Sequence, residues 1–155
     1  MALKILKKKS LLAILENSIK GGDNYLFRNL YAINDGQKAD ILENGKNSCA
    51  AFVSWILLAL ELVKTAHAAV EGTIKDLMSS GWHEISEPKP GAILVWKKMM
   101  ADDGVEHGHL GFYIGNDEAI SNDSRGRGFP WKHHFTYNDT RKIEKIFWHD
   151  DLNNG

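Results

Sequence analysis

The single cysteine of this 155-residue chain is the first candidate for chemistry. Cys49 follows a polar loop and precedes an apolar run that predicts a buried helix. At a helix start the backbone N–H groups are unpaired and the helix dipole is positive, so a lowered thiol pKa is expected. The N–H of Ala50 is placed to serve an oxyanion hole. The alternative interpretation of Cys49 is a small, buried apolar side chain.

A histidine-rich strand, HGHLGFYIG, supplies the candidate general base, His109. The flanking glycines leave room for a group to approach the backbone, and a strand imidazole facing a helix thiol forms a nucleophile–base pair. A metal site is the alternative, with ligands drawn from His107, which shares the face of His109, and from His133, His134 and His149. Because no recognised ligand spacing is present, we predict no metal and no cofactor.

A general base needs a third group to hold its ring in one tautomer. The return strand of the hairpin offers Ser121, Asn122 and Asp123. A two-residue turn pairs Gly111 with Asn122 and puts Asn122 on the face of His109, whereas a three-residue loop puts Ser121 and Asp123 there. An amide orients an imidazole better than a hydroxyl does. We therefore predict Asn122, with Ser121 and Asp123 as alternatives.

The elements that position these residues follow from the sequence periodicity. Apolar spacing predicts helices over residues 10–20, 49–65 and 73–80, with a further short helix from Asp23 and a loop over residues 38–46. Residues rich in β-branched and aromatic types predict strands over 91–97, 107–115, 118–122, 133–137 and 143–149. A helical part (residues 1–82) followed by a sheet part (residues 91–149) predicts one α+β domain over residues 1–155, with N-terminal helices packed on an antiparallel sheet.

Composition limits the partners of the protein. The net charge is −1, with 43% hydrophobic and 25% charged residues, which gives no general attraction to nucleic acid. No apolar run reaches the roughly 18 residues of a membrane span. The N-terminal apolar run is short and is interrupted by Glu16, unlike a signal peptide. We therefore expect a soluble protein, either cytoplasmic or delivered by a route without a signal peptide.

Three blocks between residues 47 and 124 resemble one family, in the family's order. NSCAAFVSWIL resembles the nucleophile helix of NlpC-type cell-wall peptidases and the related CHAP amidases, whose usual form is DCSGFV. GHLGFYIGNDEAISNDS resembles their histidine hairpin, and PKPGAILVW resembles the strand leading into it. The chain departs from the family at Ser48, Ala50 and Ala51. Direct counting from His109 puts the family's third residue at Ser121.

The resemblance implies a papain-like core and an amide hydrolase acting on a peptide or a peptidoglycan fragment. Cys49 would form a thioester that water then releases. The resemblance also matches Tyr31 to an upstream tyrosine that assists the oxyanion site. Because the cysteine precedes the histidine, the order favours a peptidase or amidase over the lecithin:retinol acyltransferase group, in which the histidine comes first.

A basic and aromatic loop, SRGRGFPWKHHF, follows the hairpin. Arg125 and Arg127 are candidates to bind a carboxylate or phosphate of the substrate, and the alternative is a solvated loop. An RNA-binding patch is disfavoured because the basic segment is short and the chain is nearly neutral. Two other functions stay open: a catalytically silent papain-like module that binds a peptide or protein, and an intracellular acyl- or amide-transfer enzyme.

Overall fold

The computed structural model describes residues 2–154. Over these residues the chain forms three α-helices, which are α1 (Lys7–Ile19), α2 (Cys49–Ala59) and α3 (Val70–Ser79). The eight strands of this range are β1 (Tyr31–Asn34), β2 (Gln37–Asp40), β3 (Trp82–Glu84), β4 (Ile93–Met100), β5 (Glu106–Gly115), β6 (Glu118–Asn122), β7 (Pro130–His134) and β8 (Ile143–His149). No helix within residues 2–154 has the length and apolar character needed to cross a membrane.

Six strands form one antiparallel sheet in the order β3-β8-β4-β5-β6-β7, and β1 and β2 form a separate hairpin. Strands β4 to β7 follow one another as a meander, while β8 returns to lie between β3 and β4. This arrangement confirms the predicted α+β class. It also places β5, the strand of His109, inside the sheet rather than at an edge.

Helix α2 packs against β5 and β6 and is buried along almost its whole length. Phe52 meets Phe112 of β5 edge to face, with ring centroids 5.8 Å apart. The helix ends at Ala59, six residues before the predicted end at residue 65. There Glu61 adopts φ +56°, and the N–H groups of Leu62 and Glu61 donate to the carbonyl oxygens of Leu57 and Leu58, which is a Schellman ending.

The predicted helix from Asp23 is wrong, and the predicted loop over residues 38–46 is wrong in part. Turns occupy this region, followed by the β1–β2 hairpin. Asp35 and Gly36 form its turn with φ of +49° and +76°. An Asp-Gly pair is a strong signal for a type I′ hairpin, so this element was recoverable from the sequence.

Strand β7 covers residues 130–134 instead of the predicted 133–137. It cannot continue because Tyr137, Asn138 and Asp139 take successive left-handed conformations, with φ of +52°, +55° and +65°. Backbone of this kind is costly for residues other than glycine, and it occurs where the surroundings hold it in place. The turn carries Tyr137 back toward the sheet.

Candidate active site

Cys49 is the first residue of α2 and is only 9% exposed. Ser48 before it makes no capping hydrogen bond through its side chain, so its hydroxyl does not occupy the N–H groups of the first turn. Backbone N–H groups of Leu110 and Ala50 lie near the sulfur and act to lower the pKa of the thiol. Leu110 directly follows His109 on β5, so α2 brings the thiol beside the strand of the candidate base.

Burial raises the pKa of the Cys49 thiol above its ordinary value. The N–H groups of Leu110 and Ala50 and the charge of Arg141 act in the opposite direction, but they do not offset the burial. The predicted lowering of the thiol pKa is therefore wrong. The helix start favours a thiolate, but taking the thiolate out of water costs more than this effect returns.

His109 is buried on β5 with its ring stacked on Trp96 of β4, at a centroid distance of 5.0 Å. Its Nε2 atom lies 3.1 Å from Ser121 Oγ and 3.0 Å from Tyr137 Oη. Its Nδ1 atom makes no hydrogen bond within residues 2–154. Burial, reinforced by nearby positive groups such as Arg141, holds the pKa of His109 well below 6.5.

The register of the β5–β6 hairpin decides which residue reaches His109. The two-residue turn is present, but a bulge shifts the ladder between Tyr113 and Gly115, so that Phe112 pairs with Ile120. The predicted pairing of Gly111 with Asn122 is therefore wrong by one residue, and Ser121 takes the face of His109. Gly111 permits this approach, because a Cβ there would lie 2.6 Å from Ser121 Cβ.

The other two candidates for the third residue have different partners. Asn122 Nδ2 donates to the Gly45 carbonyl at 2.7 Å and so ties the loop before α2 to β6. The Asp123 carboxylate accepts hydrogen bonds from the backbone N–H and the Nε of Arg127, at 3.1 and 3.4 Å. Neither side chain hydrogen-bonds to His109.

Tyr137 and His133 join the site. Tyr137 had no predicted role, and His133 was a candidate as a metal ligand and as part of the basic loop SRGRGFPWKHHF. Their rings stack with centroids 4.1 Å apart, and His133 Nε2 lies 2.7 Å from Ser121 Oγ. Burial raises the pKa of Tyr137 to about 12 and lowers that of His133 to about 4. No local signal marks Tyr137, because it meets His109 across 28 residues of chain through the left-handed turn.

Arg141 was also missed, and it places a positive charge near the thiol. Its Nη2 donates to the carbonyl oxygens of Lys97 and His107 at 3.5 and 3.4 Å, where the β4–β5 ladder is interrupted beside His109. Its Nε is buried without a partner. Arg141 forms no ion pair in the part of the chain that the structure describes, so its charge lacks a protein counter-ion.

The remaining candidates lie at the surface. Tyr31 begins β1 and is 74% exposed, and its side chain makes no hydrogen bond within the described range. Arg125 donates to the Met100 carbonyl at 3.1 Å. The guanidinium of Arg127 lies over the ring of Phe129, 4.9 Å from its centroid. Both arginines are exposed at the rim of the hairpin.

Residues 2–154 contain no group of three or more histidine, cysteine, aspartate or glutamate side chains that could hold a metal ion. His107 pairs instead with Asp103 at 2.8 Å. The site therefore offers a neutral thiol, a neutral imidazole held by two hydroxyls, and backbone N–H groups around the sulfur. Nucleophilic attack on a carbonyl carbon is the chemistry this set can perform. No protein-family model matches the chain, and a search of curated proteins finds no match.

Proposed function

We propose that this protein is a cysteine-dependent hydrolase of amide or peptide bonds with a papain-like core. Cys49 is the nucleophile and His109 the general base. One observation carries the proposal: the buried thiol begins α2, which packs against β5, the strand of the buried His109, and the N–H of the next residue, Leu110, acts on the thiol. Because Ser121 and Tyr137 occupy Nε2 of His109, its Nδ1 is left for the thiol.

The reaction starts from the neutral pair. As Cys49 Sγ bonds to the carbonyl carbon, its proton passes to His109 Nδ1, and the N–H of Ala50 stabilises the oxyanion. The C–N bond breaks, and the leaving amine takes the proton from His109. Water then attacks the thioester, with His109 again accepting a proton, and the acid and the free thiol are released.

Peptidoglycan-type peptides are the proposed substrates. The three sequence blocks around Cys49 and His109 support this class through their resemblance to cell-wall peptidases and amidases. The unpaired charge of Arg141, with Arg125 nearby, suits a substrate that carries carboxylates.

The proposal is tested by incubating the wild-type protein with purified peptidoglycan fragments and identifying the products by mass spectrometry. We expect Cys49→Ala and His109→Gln to lower the rate by about 1,000-fold or more. His83→Gln is the control, because His83 is an exposed histidine of β3 that pairs with Asp150. Equal product formation by Cys49→Ala would contradict the proposal.

Burial of Cys49 and its raised pKa favour one second candidate, a catalytically silent peptide-binding module. In that case the wild type and Cys49→Ala bind the same fragments with equal affinity and release no product. An acyl- or amide-transfer enzyme is distinguished in the same assay by adding an amine acceptor. Transfer gives a new amide in place of the free acid.

A further inference from the structure

On its Nε2 side, His109 belongs to a group of side chains that hydrogen-bond to one another. Ser121 Oγ lies within hydrogen-bond distance of three of them: His109 Nε2 at 3.1 Å, Tyr137 Oη at 3.1 Å and His133 Nε2 at 2.7 Å. A hydroxyl can either donate or accept, so a serine alone does not fix which nitrogen of an imidazole carries the proton. The tautomer of His109 therefore depends on what holds the hydroxyl of Ser121.

The backbone carbonyl of His134 sets the direction of the hydrogen bonds in this group of side chains. His133 Nδ1 lies 2.7 Å from this oxygen, which can only accept, so Nδ1 of His133 carries a proton. The ring of His133 is neutral near pH 7 because burial lowers its pKa to about 4. Its Nε2 is then an acceptor, and the hydroxyl proton of Ser121 points to it. Toward His109 and Tyr137, the oxygen of Ser121 can only accept.

The direction of the single hydroxyl proton of Tyr137 then decides which nitrogen of His109 carries a proton. If it pointed to His109 Nε2, the oxygen of Ser121 would face two lone pairs, one on Nε2 and one on Tyr137 Oη, at 3.1 Å each. If it points to Ser121, His109 Nε2–H donates to both oxygens and every short contact is a hydrogen bond. Only this second arrangement satisfies the whole group.

We propose that His133 is a positioning residue that keeps the proton of neutral His109 on Nε2, through Ser121, and thereby leaves Nδ1 free to accept the Cys49 proton. The role in catalysis rests on the proposed hydrolase function, whereas the proton arrangement itself does not. No proton crosses the group during the reaction, because the exchange takes place between Cys49 Sγ and His109 Nδ1. His133 therefore acts by orientation, as the carboxylate of a catalytic triad does.

The charged groups around this cluster are Arg141 and Arg125, which lower the pKa of His109, and Asp123, which raises that of His133. None of them hydrogen-bonds to Nε2 of either ring. The proton order is therefore set by the neutral hydrogen bonds rather than by an ion pair. In a histidine–carboxylate pair, by contrast, a charged group orients the ring.

The ring nitrogens can be observed directly, without substrate, in long-range ¹H–¹⁵N correlation spectra of the full-length protein near pH 7. Single His→Gln variants assign the signals. We expect the Nε2–H form for His109 and the Nδ1–H form for His133. His109 in the Nδ1–H form in the wild type would overturn the proposal.

Two substitutions then separate orientation from packing. His133→Phe keeps a flat ring against Tyr137 but offers no acceptor to Ser121, so we expect His109 to populate the Nδ1–H form. With substrate, kcat should fall about 100-fold while KM changes less than about threefold. His133→Gln restores an acceptor oxygen and should restore the tautomer and most of kcat. His83→Phe, at an exposed position, is the matched control.

An unchanged His109 tautomer in folded His133→Phe would refute the role of His133. If that variant does not fold, Ser121→Ala gives the same test, because it removes the link between the two rings and should release the His109 tautomer. If the spectra show the expected tautomers while the turnover of the protein does not depend on Cys49, that result would contradict the hydrolase proposal but would support the proposed positions of the protons on His109 and His133.

Discussion

Cys49 and His109 are both buried where α2 meets β5, and burial disfavours the charged form of each. The thiol pKa is raised and the imidazole pKa is lowered, so the resting pair is neutral near pH 7. A neutral pair transfers its proton during the attack, whereas a preformed thiolate–imidazolium pair has already transferred it. The two cases differ in their dependence on pH.

We predict that kcat/KM keeps its plateau down to a pH below 6.5, the ordinary histidine value, because burial lowers the pKa of His109. As pH falls through that lowered pKa, His109 becomes protonated and activity is lost. The measurement is the pH profile of kcat/KM on a peptide substrate, with circular dichroism at each pH to verify folding. An acid limb centred at or above pH 6.5 in the folded protein would contradict the neutral resting pair.

The charge of Arg141 leads to a second prediction, which concerns the reactivity of the Cys49 thiol. Its charge lowers the pKa of the Cys49 thiol, so Arg141→Gln should raise that pKa further. We expect alkylation by iodoacetamide at pH 8 to slow about threefold or more, since only the thiolate reacts. Arg125→Gln is the control, because Arg125 is not among the groups that shift the Cys49 pKa. Equal slowing by both variants would point to a general loss of positive charge.

At the scale of elements, the bulge of β5 and the close approach of β6 place Ser121 against His109. Gly111 makes this approach possible, since a side chain there would meet Ser121 Cβ at 2.6 Å and the Ile120 carbonyl oxygen at 2.8 Å. The backbone of β6 lies too near for any Cβ at this position. The positioning of the candidate base therefore depends on a residue without a side chain.

We predict that Gly111→Ala lowers the free energy of unfolding by about 1–3 kcal/mol through overpacking and also lowers turnover by moving Ser121. Gly108→Ala in the same strand is the matched control, because its Cβ would meet Val70 Cγ1 at an ordinary 3.4 Å. Urea denaturation and steady-state rates measure the two effects. Equal effects of both substitutions would mean that the contact with Ser121 is not the cause.

Elements with a clear local period were predictable from the sequence. The helix start at Cys49 and strands β6 and β8 have the predicted bounds, because apolar spacing and β-branched residues mark them. The bulge between Tyr113 and Gly115 leaves no mark in the residue types, yet it exchanges Asn122 for Ser121 at His109. Side-chain identity at the site was therefore less predictable than the strand that carries it.

At the scale of the whole molecule, the candidate site is assembled from segments that are distant in sequence. Cys49 comes from the helical part, His109 and Ser121 from a hairpin, and Tyr137 from a left-handed turn after β7. Such contacts depend on how β6 and β7 pair and on where the turn sends the chain. Local patterns predict Cys49 and His109, and the family count from His109 points to Ser121, but Tyr137 and His133 are recognised as partners only in the fold.

The buried histidines also predict how global stability depends on pH. The pKa of His133 is about 4 in the folded protein against 6.5 when exposed, so between these values the unfolded chain binds more protons and stability falls as pH falls. The loss attributable to His133 is on the order of 3 kcal/mol over this window, and His109 adds to it in the same direction.

Carboxylates contribute at lower pH. Desolvation is the largest single effect on the pKa of Asp40 and raises it, but the hydrogen bonds that the carboxylate accepts outweigh it together and lower the pKa from 3.8 to about 2. These carboxylates begin to contribute near the acid end of the interval from pH 6.5 to 4, so the difference between the wild type and a histidine variant, rather than the wild-type curve alone, isolates the histidine. We expect urea denaturation of the wild type to give a free energy of unfolding that decreases across this interval, and a clearly smaller decrease for His133→Gln. His83→Gln, altered at an exposed histidine, should follow the wild type. A decrease of equal size in His133→Gln would show that protonation of His133 does not oppose folding.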